Sequence, residues 1–301
     1  MKIVYACDDN YAGLTAVSAV SLLKHNPEAE IILIGFKLKP ESIEKAKTQI
    51  ERYGGKFRYA DVSAKIDDIQ SAKTSPYVSY AVYSRIFISD LLPDISGRIL
   101  YLDCDTLIVD SIRQIFETDM QGLPLALAPD MVHPAYKKVI SLPDGRPYYN
   151  TGVALIDLDE WRNRDCTKRL IEEIRNPHGS NPLGDQDIIV RVLNTEIKEL
   201  ERKWNFLSQY ILCKRKERPA IYHFSGNTMG RPWYTSSHHP MREMYRQAAK
   251  DANMPELAEQ SRKLPVEYEI QYALFRILPQ FLFRPLYYLM LRTHIYLTYK
   301  K

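Results

Sequence analysis

The chain has 301 residues, 45% of them hydrophobic and 26% charged, with a formal net charge of +4. That balance excludes a disordered or collagen-like chain and allows a globular protein with a large core, as one domain or a domain with an appendage. The charge is uneven: residues 262–301 hold seven basic and two acidic residues, a net of +5, which leaves −1 on residues 1–261. The four cysteines, Cys7, Cys104, Cys166 and Cys213, make no CxxC pair. A disulfide framework or zinc site is therefore not expected, and a reducing cytosol is. The apolar start "KIVYAC" is cut at Asp8, unlike a signal peptide. The longest apolar stretch, "ILPQFLFRPLYYLML", is broken by Pro279, Gln280, Arg284 and Pro285, so no membrane span is expected.

In chain order, "KIVYACDDN" reads as a strand, and "GLTAVSAVSLLKHN" as a helix with Leu14, Val17, Ala19, Val20 and Leu23 on one broad face. "EIILIGFKL" is a second strand. "KPESIEKAKTQIERYGG" is a helix opened by Pro40 and closed by Gly54 and Gly55. "KFRYADV" is a third strand. "YVSYAVYSRIFISDLL" has helical period, with Val78, Val82, Ile86 and Phe87 as core candidates. Strands follow at "GRILYLDCD", "LPLALAPD", "TGVALIDL" and "AIYHF". This alternation predicts an α/β sheet with helices on both faces. Ligands on such sheets sit at the carboxyl ends of strands. Asp8, the Asp103/Asp105 pair, Asp130 and, more weakly, Asp61 lie at such ends.

Asp-x-Asp occurs three times, so the spelling alone identifies nothing. At "VALIDLDEW", helix capping accounts for Asp159. At "LGDQDIIV", Asp185 and Asp187 fall in the first turn of a helix, where the dipole favours acids without any function. The pair Asp103 and Asp105 follows a buried strand. On an extended chain, residues i and i+2 share a side, so both carboxylates would project from the sheet edge and could share a divalent cation. The alternative is a solvated turn. An oxygen-rich site suits Mg²⁺ or Mn²⁺ with substrate phosphates. His223, ending another strand, could complete the shell or be a satisfied structural histidine. Asn150 precedes a buried strand, where asparagine is often only a turn former. Arg85 lies on a largely apolar segment and needs an anionic or hydroxyl partner, from substrate or from a salt bridge.

Together "IVYACDDNY", "YSRIFISDLLP", "ILYLDCDTLIVDS", "YYNTGVALIDLDEWR", "GDQDIIV", "WNF" and "HFSG" before "RPW" resemble, in order, the family-eight retaining glycosyltransferases. That family includes glycogenin and bacterial lipopolysaccharide and lipooligosaccharide glucosyl- and galactosyltransferases, and the likeness leans to the last. It covers about residues 1–235, with residues 236–301 left as a helical, basic and aromatic appendage. The resemblance implies a GT-A fold, a Rossmann-like sheet for nucleotide-diphospho-sugars. It implies UDP-glucose or UDP-galactose as donor, a glycan or glycolipid acceptor, and Mn²⁺ or Mg²⁺. Ala6, Asp8, Asn10 and Tyr11 would hold uridine. Asp103, Asp105 and His223 would hold the metal. Arg85, Asn150, Asp185 and Gln186 would surround the donor sugar, and Asp130 would face the acceptor. Gly226 and Arg231 would contact the phosphates. Cys104 falls among the nucleotide-site positions, with its side chain turned away into packing. Arg231 departs from the family's usual lysine, and it lies five residues after Gly226 instead of three.

Retention with an amide at Gln186, a poor nucleophile, favours attack by the acceptor on the face the phosphate leaves. A nucleotidyltransferase is the rival enzyme class, but "ACDDNYAGLT" is acidic and offers no phosphate cradle. A silent membrane-associated binding protein is the other rival. The tail "YALFRILPQFLFRPLYYLMLRTHIYLTYKK" has the cationic, amphipathic character of segments that bind anionic membranes. A helical cap on the catalytic domain is the alternative. Its basic residues are too few and too interleaved for nucleic acid. The expected location is the cytoplasm, at the inner face of the cell membrane through residues 265–301.

Overall fold

A computed structural model describes residues 1–69, 80–213, 216–226 and 229–299. Its ten strands are β1 (Lys2–Asp8), β2 (Glu30–Phe36), β3 (Lys56–Asp61), β4 (Arg98–Leu102), β5 (Thr106–Ile108), β6 (Leu125–Pro129), β7 (Tyr149–Asp157), β8 (Ile197–Glu199), β9 (Phe206–Leu207) and β10 (Ile221–His223). Seven form one sheet in the order β3-β2-β1-β4-β7-β6-β8, and β5-β10-β9 form a small second sheet. In the large sheet only β7 runs against its neighbours β4 and β6. The carboxyl ends of β1, β4 and β6 therefore meet the start of β7 at one edge.

Alternate residues of each central strand enter two cores. Ile3, Tyr5 and Cys7 of β1 with Leu100 and Leu102 of β4 pack beneath the first helix, Ala12–Leu23. Val4 and Ala6 with Ile99 and Tyr101 pack beneath the segment around Ile86 and the helix Asp185–Leu193. Coverage on both faces explains why these strands read as continuous apolar runs. The five apolar positions expected on the first helix are all buried. Tyr245, Ala248 and Ala249 of the helix Arg242–Asp251 join the first core. A third cluster holds Leu212, Cys213 and Met229 against Phe283 and Tyr287 of the C-terminal helix, Gln280–Tyr299.

Several local expectations change. Tyr80–Phe87 is a 3-10 helix, continued by one α-turn at Ile88–Leu91. Ile86 and Phe87 are buried there, Val82 is half-buried, and Val78 lies outside the described residues. Asp159 is not the helix cap. Asp157 takes that role, accepting from the Asp159 and Glu160 amides, while Asp159 accepts from Gly97 N at 2.8 Å. Asp61 turns into its own loop, accepting from Ser63 N. All four cysteines are buried, and none is bridged to another as a disulfide. Among the described residues no helix is long and apolar enough to cross a membrane.

A buried chain of hydroxyls links the first core to the turn after β4. Thr106 Oγ1 donates to the Asp103 carbonyl at 2.8 Å. Its single proton being used, Thr106 accepts from Ser18 Oγ at 2.8 Å, and Ser18 in turn accepts from Tyr5 at 3.1 Å. Thr106→Val, nearly isosteric, should leave the Asp103 carbonyl and Ser18 short of partners. Chemical denaturation should show a loss of about 1–3 kcal/mol, with the apolar cores otherwise intact.

Candidate active site

The turn after β4 gathers the acidic residues. Asp103 and Asp105 do not lie on an extended strand, as the i, i+2 spacing had suggested. They flank a tight turn between β4 and β5, whose two strands belong to different sheets. Asp103 N is tied to Gly152 O at 2.7 Å, and Asp105 O accepts from Phe224 N at 2.9 Å. The antiparallel pairing of β5 with β10 sets His223 beside Thr106. His223 Nε2 consequently lies 3.7 Å from Asp103 Oδ2 and 3.1 Å from Asp105 Oδ1. One ligand atom from each of the three lies within 4.8 Å of the others.

The groups around this triad support that geometry. The Asn205 side-chain amide donates to Asn150 Oδ1 at 2.9 Å, so its oxygen faces His223 Nδ1, also at 2.9 Å. Nδ1 is thereby the protonated nitrogen, and Nε2 is turned to the carboxylates. Burial works against a charged His223, yet Asp105 and Asp103 prevail and raise its pKa. Burial likewise works against the Asp105 carboxylate, but His223 and Arg231 hold its pKa well below the usual range. Gly152 sits directly behind the triad. A Cβ there would collide with the His223 ring and approach Asp103 Oδ2 to 2.6 Å. A β-bulge between Leu127 and Ala128 shifts the β6–β7 register from Ala154 to Asn150, so that residues 151–153 have no partner on β6, with Thr151 lining the larger cavity and Gly152 against the triad.

Arg85 is buried and joins two acids. It contacts Asp103 at 3.0 Å and Asp185 at 2.6 Å, donates to Thr151 O at 2.7 Å, and lies over the Tyr101 ring. It is therefore a structural ion-pair residue inside the site. Burial opposes its charge, but Asp103 and Asp185 raise its pKa. Asp185 is buried at the start of its helix; burial raises its pKa, and Arg85 limits the rise. Its Oδ2 has the ion pair but no aligned hydrogen bond. Gln186 donates to Asp130 Oδ2 at 3.1 Å, and its carbonyl accepts from Asn150 Nδ2 at 3.1 Å and Thr151 N at 3.2 Å. Asn150 also donates to Asp130, whose pKa is raised by burial.

Two cavities meet along Arg85, Asp103 and Asp105. The smaller, about 310 Å³, is lined by Ala6, Asp8, Tyr11, Cys104 and Tyr101 among others. Asn10 is exposed beside it, its N–H bonded to Asp8 Oδ1. Cys104 Sγ lies 3.3 Å from Ala6 O. The larger, about 430 Å³, holds Asp130, Asn150, Asp185, Gln186, His223, Gly226 and Arg231. Gly226 has φ +70, a left-handed turn suited to glycine. Arg231 reaches the triad, contacting Asp105 and the Phe224 carbonyl. Leu291 and Ile295 of the C-terminal helix line the far wall. Asn205 in "WNF" and Thr151 and Gly152 in "YYNTG" take on site roles only once the chain is folded. Nothing in local periodicity pointed to Leu291 or Ile295.

The mostly parallel sheet, with carboxylates, an imidazole and guanidinium groups gathered at one edge, has the architecture of the GT-A fold. The galactosyltransferase LgtC, solved in complex with donor and acceptor sugar analogues, shares this fold with a TM-score of 0.72, at 24% identity over 89% of this chain and 99% of its own. The profile of glycosyl transferase family 8 matches residues 2–236, and the chain belongs to that family. General stress protein A of Bacillus subtilis is 29% identical over 81% of this chain and 91% of its own length. Glycosyltransferase GlyF of Streptococcus pneumoniae is 26% identical over 87% of this chain and 64% of its own length.

The crowding at Gly152 makes a direct forecast. Gly152→Ala should displace His223 or Asp103, and any divalent-metal affinity of the purified protein at these residues should fall by about 10-fold or more. Isothermal titration with Mn²⁺ and UDP reads the change.

Proposed function

We propose that this chain is a retaining hexosyltransferase that moves glucose or galactose from a UDP-sugar to a hydroxyl of a cell-surface glycan, such as lipopolysaccharide. The observation that carries the reading is the convergence of Asp103, Asp105 and His223 between the Asp8–Tyr11 cavity and the Asp185–Gln186 pair. Two carboxylates and an imidazole Nε2, with a glycine cleared behind them, fit a Mn²⁺ or Mg²⁺ ion. When bound, the ion supplies Lewis-acid stabilisation of the negative charge left on UDP.

The protein's own groups supply the rest. Ala6, Asp8, Asn10, Tyr11 and the turn at Cys104 receive uridine and ribose. Gly226 offers backbone close to the diphosphate, and Arg231 moves from Asp105 to donate to it in a bidentate manner. Asp185 Oδ2, lacking an aligned donor, accepts from a sugar hydroxyl, with Arg85 holding the carboxylate in place. Asn150 and Gln186 line the sugar, and Asp130 orients the acceptor. The side chain matched to the position beneath the sugar is Gln186, whose neutral amide is a poor nucleophile. The acceptor hydroxyl therefore attacks on the face the phosphate leaves, and the departing phosphate oxygen takes its proton.

Residues 1–235 would form the catalytic unit. Residues 236–301 would bring it to an anionic membrane surface at the cytoplasmic face, consistent with a glycolipid acceptor. Val266, Ile277, Phe281, Leu289 and Tyr296 are exposed on the last two helices, with Arg276, Arg284 and Arg292 among them. Such a face suits an interfacial helix.

Purified protein should release sugar from UDP-glucose or UDP-galactose only with Mn²⁺ or Mg²⁺ present, and chelation should abolish release. Asp103→Asn should lower the rate about 100-fold or more. Gln186→Ala should lower turnover while UDP still binds. A covalent sugar trapped on any side chain would support double displacement instead, and full activity of Asp103→Asn would overturn the metal reading.

A separate measurement addresses the tail. Phe281→Asp with Leu289→Asp should release the protein from vesicles containing phosphatidylglycerol in a flotation assay, with UDP-sugar hydrolysis retained. Unchanged flotation would refute membrane docking. These exposed positions are better targets than truncation, because Leu291 and Ile295 line the cavity.

A further inference from the structure

Asp187 is fully buried one residue beyond Gln186. It lies behind the lining of the larger cavity, not on it. Its helix start accounts for an acidic residue at an exposed N-terminus, but not for a carboxylate withdrawn from water. Its oxygens accept from Tyr148 Oη at 2.6 Å, from Tyr136 Oη at 3.0 and 3.1 Å, and from Leu183 N at 2.7 Å. These donors are hydroxyls and a backbone amide, and the nearby Arg191 guanidinium is engaged by Glu173 and Asn181. Burying a carboxylate on such partners is costly, and burial raises the Asp187 pKa to about 6.

The consequence falls on Tyr148. A phenol has one proton. The short contact to Asp187 commits that proton, so Tyr148 Oη can only accept from its other neighbour. That neighbour is Gln186 Nε2, at 3.0 Å. The second proton of the same amide goes to Asp130 Oδ2 at 3.1 Å. At the other end, Gln186 Oε1 meets Thr151 N at 3.2 Å, a backbone donor that has no alternative role. Acceptors at one end and donors at the other allow only one orientation of the amide.

We propose that Asp187 is a positioning residue for sugar transfer, which aims the Tyr148 hydroxyl and thereby locks the Gln186 amide with its carbonyl oxygen toward Asn150 and Thr151. This rests on the proposed role of Gln186 beside the donor sugar. It assigns Asp187 a task without contact to substrate: the carboxylate acts through one phenol on the side chain that lines the sugar.

The test uses Tyr148→Phe, Asp187→Asn and the double variant in the full chain. Tyr148→Phe removes one oxygen and keeps the ring, so it remains informative if Asp187→Asn fails to fold. On the UDP-sugar that the unaltered protein turns over, Tyr148→Phe and Asp187→Asn should each lower kcat about tenfold, with KM for the donor changed less than twofold. The double variant should be no slower than the slower single variant, because the two residues act in series. Full kcat in Tyr148→Phe, or losses that multiply in the double variant, would overturn the inference.

A second readout needs no substrate. In ¹H–¹⁵N spectra, the Gln186 side-chain amide, assigned by its loss in Gln186→Ala, should give two well-separated proton signals. Those signals should converge in Tyr148→Phe. Unchanged signals would overturn the locking role even if neither UDP-sugar were turned over, an outcome that would separately overturn the proposed activity.

Discussion

The site depends on holding several carboxylates together at one sheet edge without letting them repel each other apart. Arg85 does much of this, pairing with Asp103 on one side and Asp185 on the other. His223 and Arg231 do the same for Asp105. Each guanidinium is itself desolvated, a cost that its acidic neighbours must offset. The arrangement is thus mutual: neither the acids nor the bases would be tolerated alone in that interior. It also ties the acids of the triad and Asp185 into a common frame, since Arg85 touches both Asp103 and Asp185.

Much of the frame was legible because its signals are local. Continuous apolar strands, a broad apolar face at residues 12–23 and Pro40 opening a helix each follow from burial and backbone chemistry over a few residues. The acidic pair and His223 could be placed at strand ends for the same reason. Illegible were features set by partners far along the chain. β5, β8 and β9 are two or three residues long, too short for any period to register. The cap at Asp157 and not Asp159 depends on where the antiparallel β7 ladder stops, with Arg98 opposite Asp157. Tyr80–Phe87 kept helical spacing yet winds as a 3-10 helix, and apolar period does not separate the two over eight residues.

Within the site, the charged residues were legible from their own chemistry, whereas Gln186 entered only through the family resemblance. Gly152 shows its meaning only when His223 and Asp103, 71 and 49 positions away by number, close around it. Asn205 likewise matters because it joins His223 to Asn150. Arg85 was read as needing a partner, with a salt bridge as one choice. It has two, and it lies in the cavity wall as well, so the structural and site roles are not alternatives.

The C-terminal helix carries an unequal stripe at four-residue intervals. Phe283 and Tyr287 are sealed in a small core, while Leu291 and Ile295, further along, face the larger cavity. Almost everything else around that cavity is drawn from residues 82–231. On the ribosome, where earlier segments fold first, the pocket over Asp8 can take shape while the far wall of its neighbour has yet to leave the exit tunnel. An unfinished chain therefore possesses the smaller cavity well before it has a closed chamber beside it, and the order of synthesis matches the order in which the two cavities become complete.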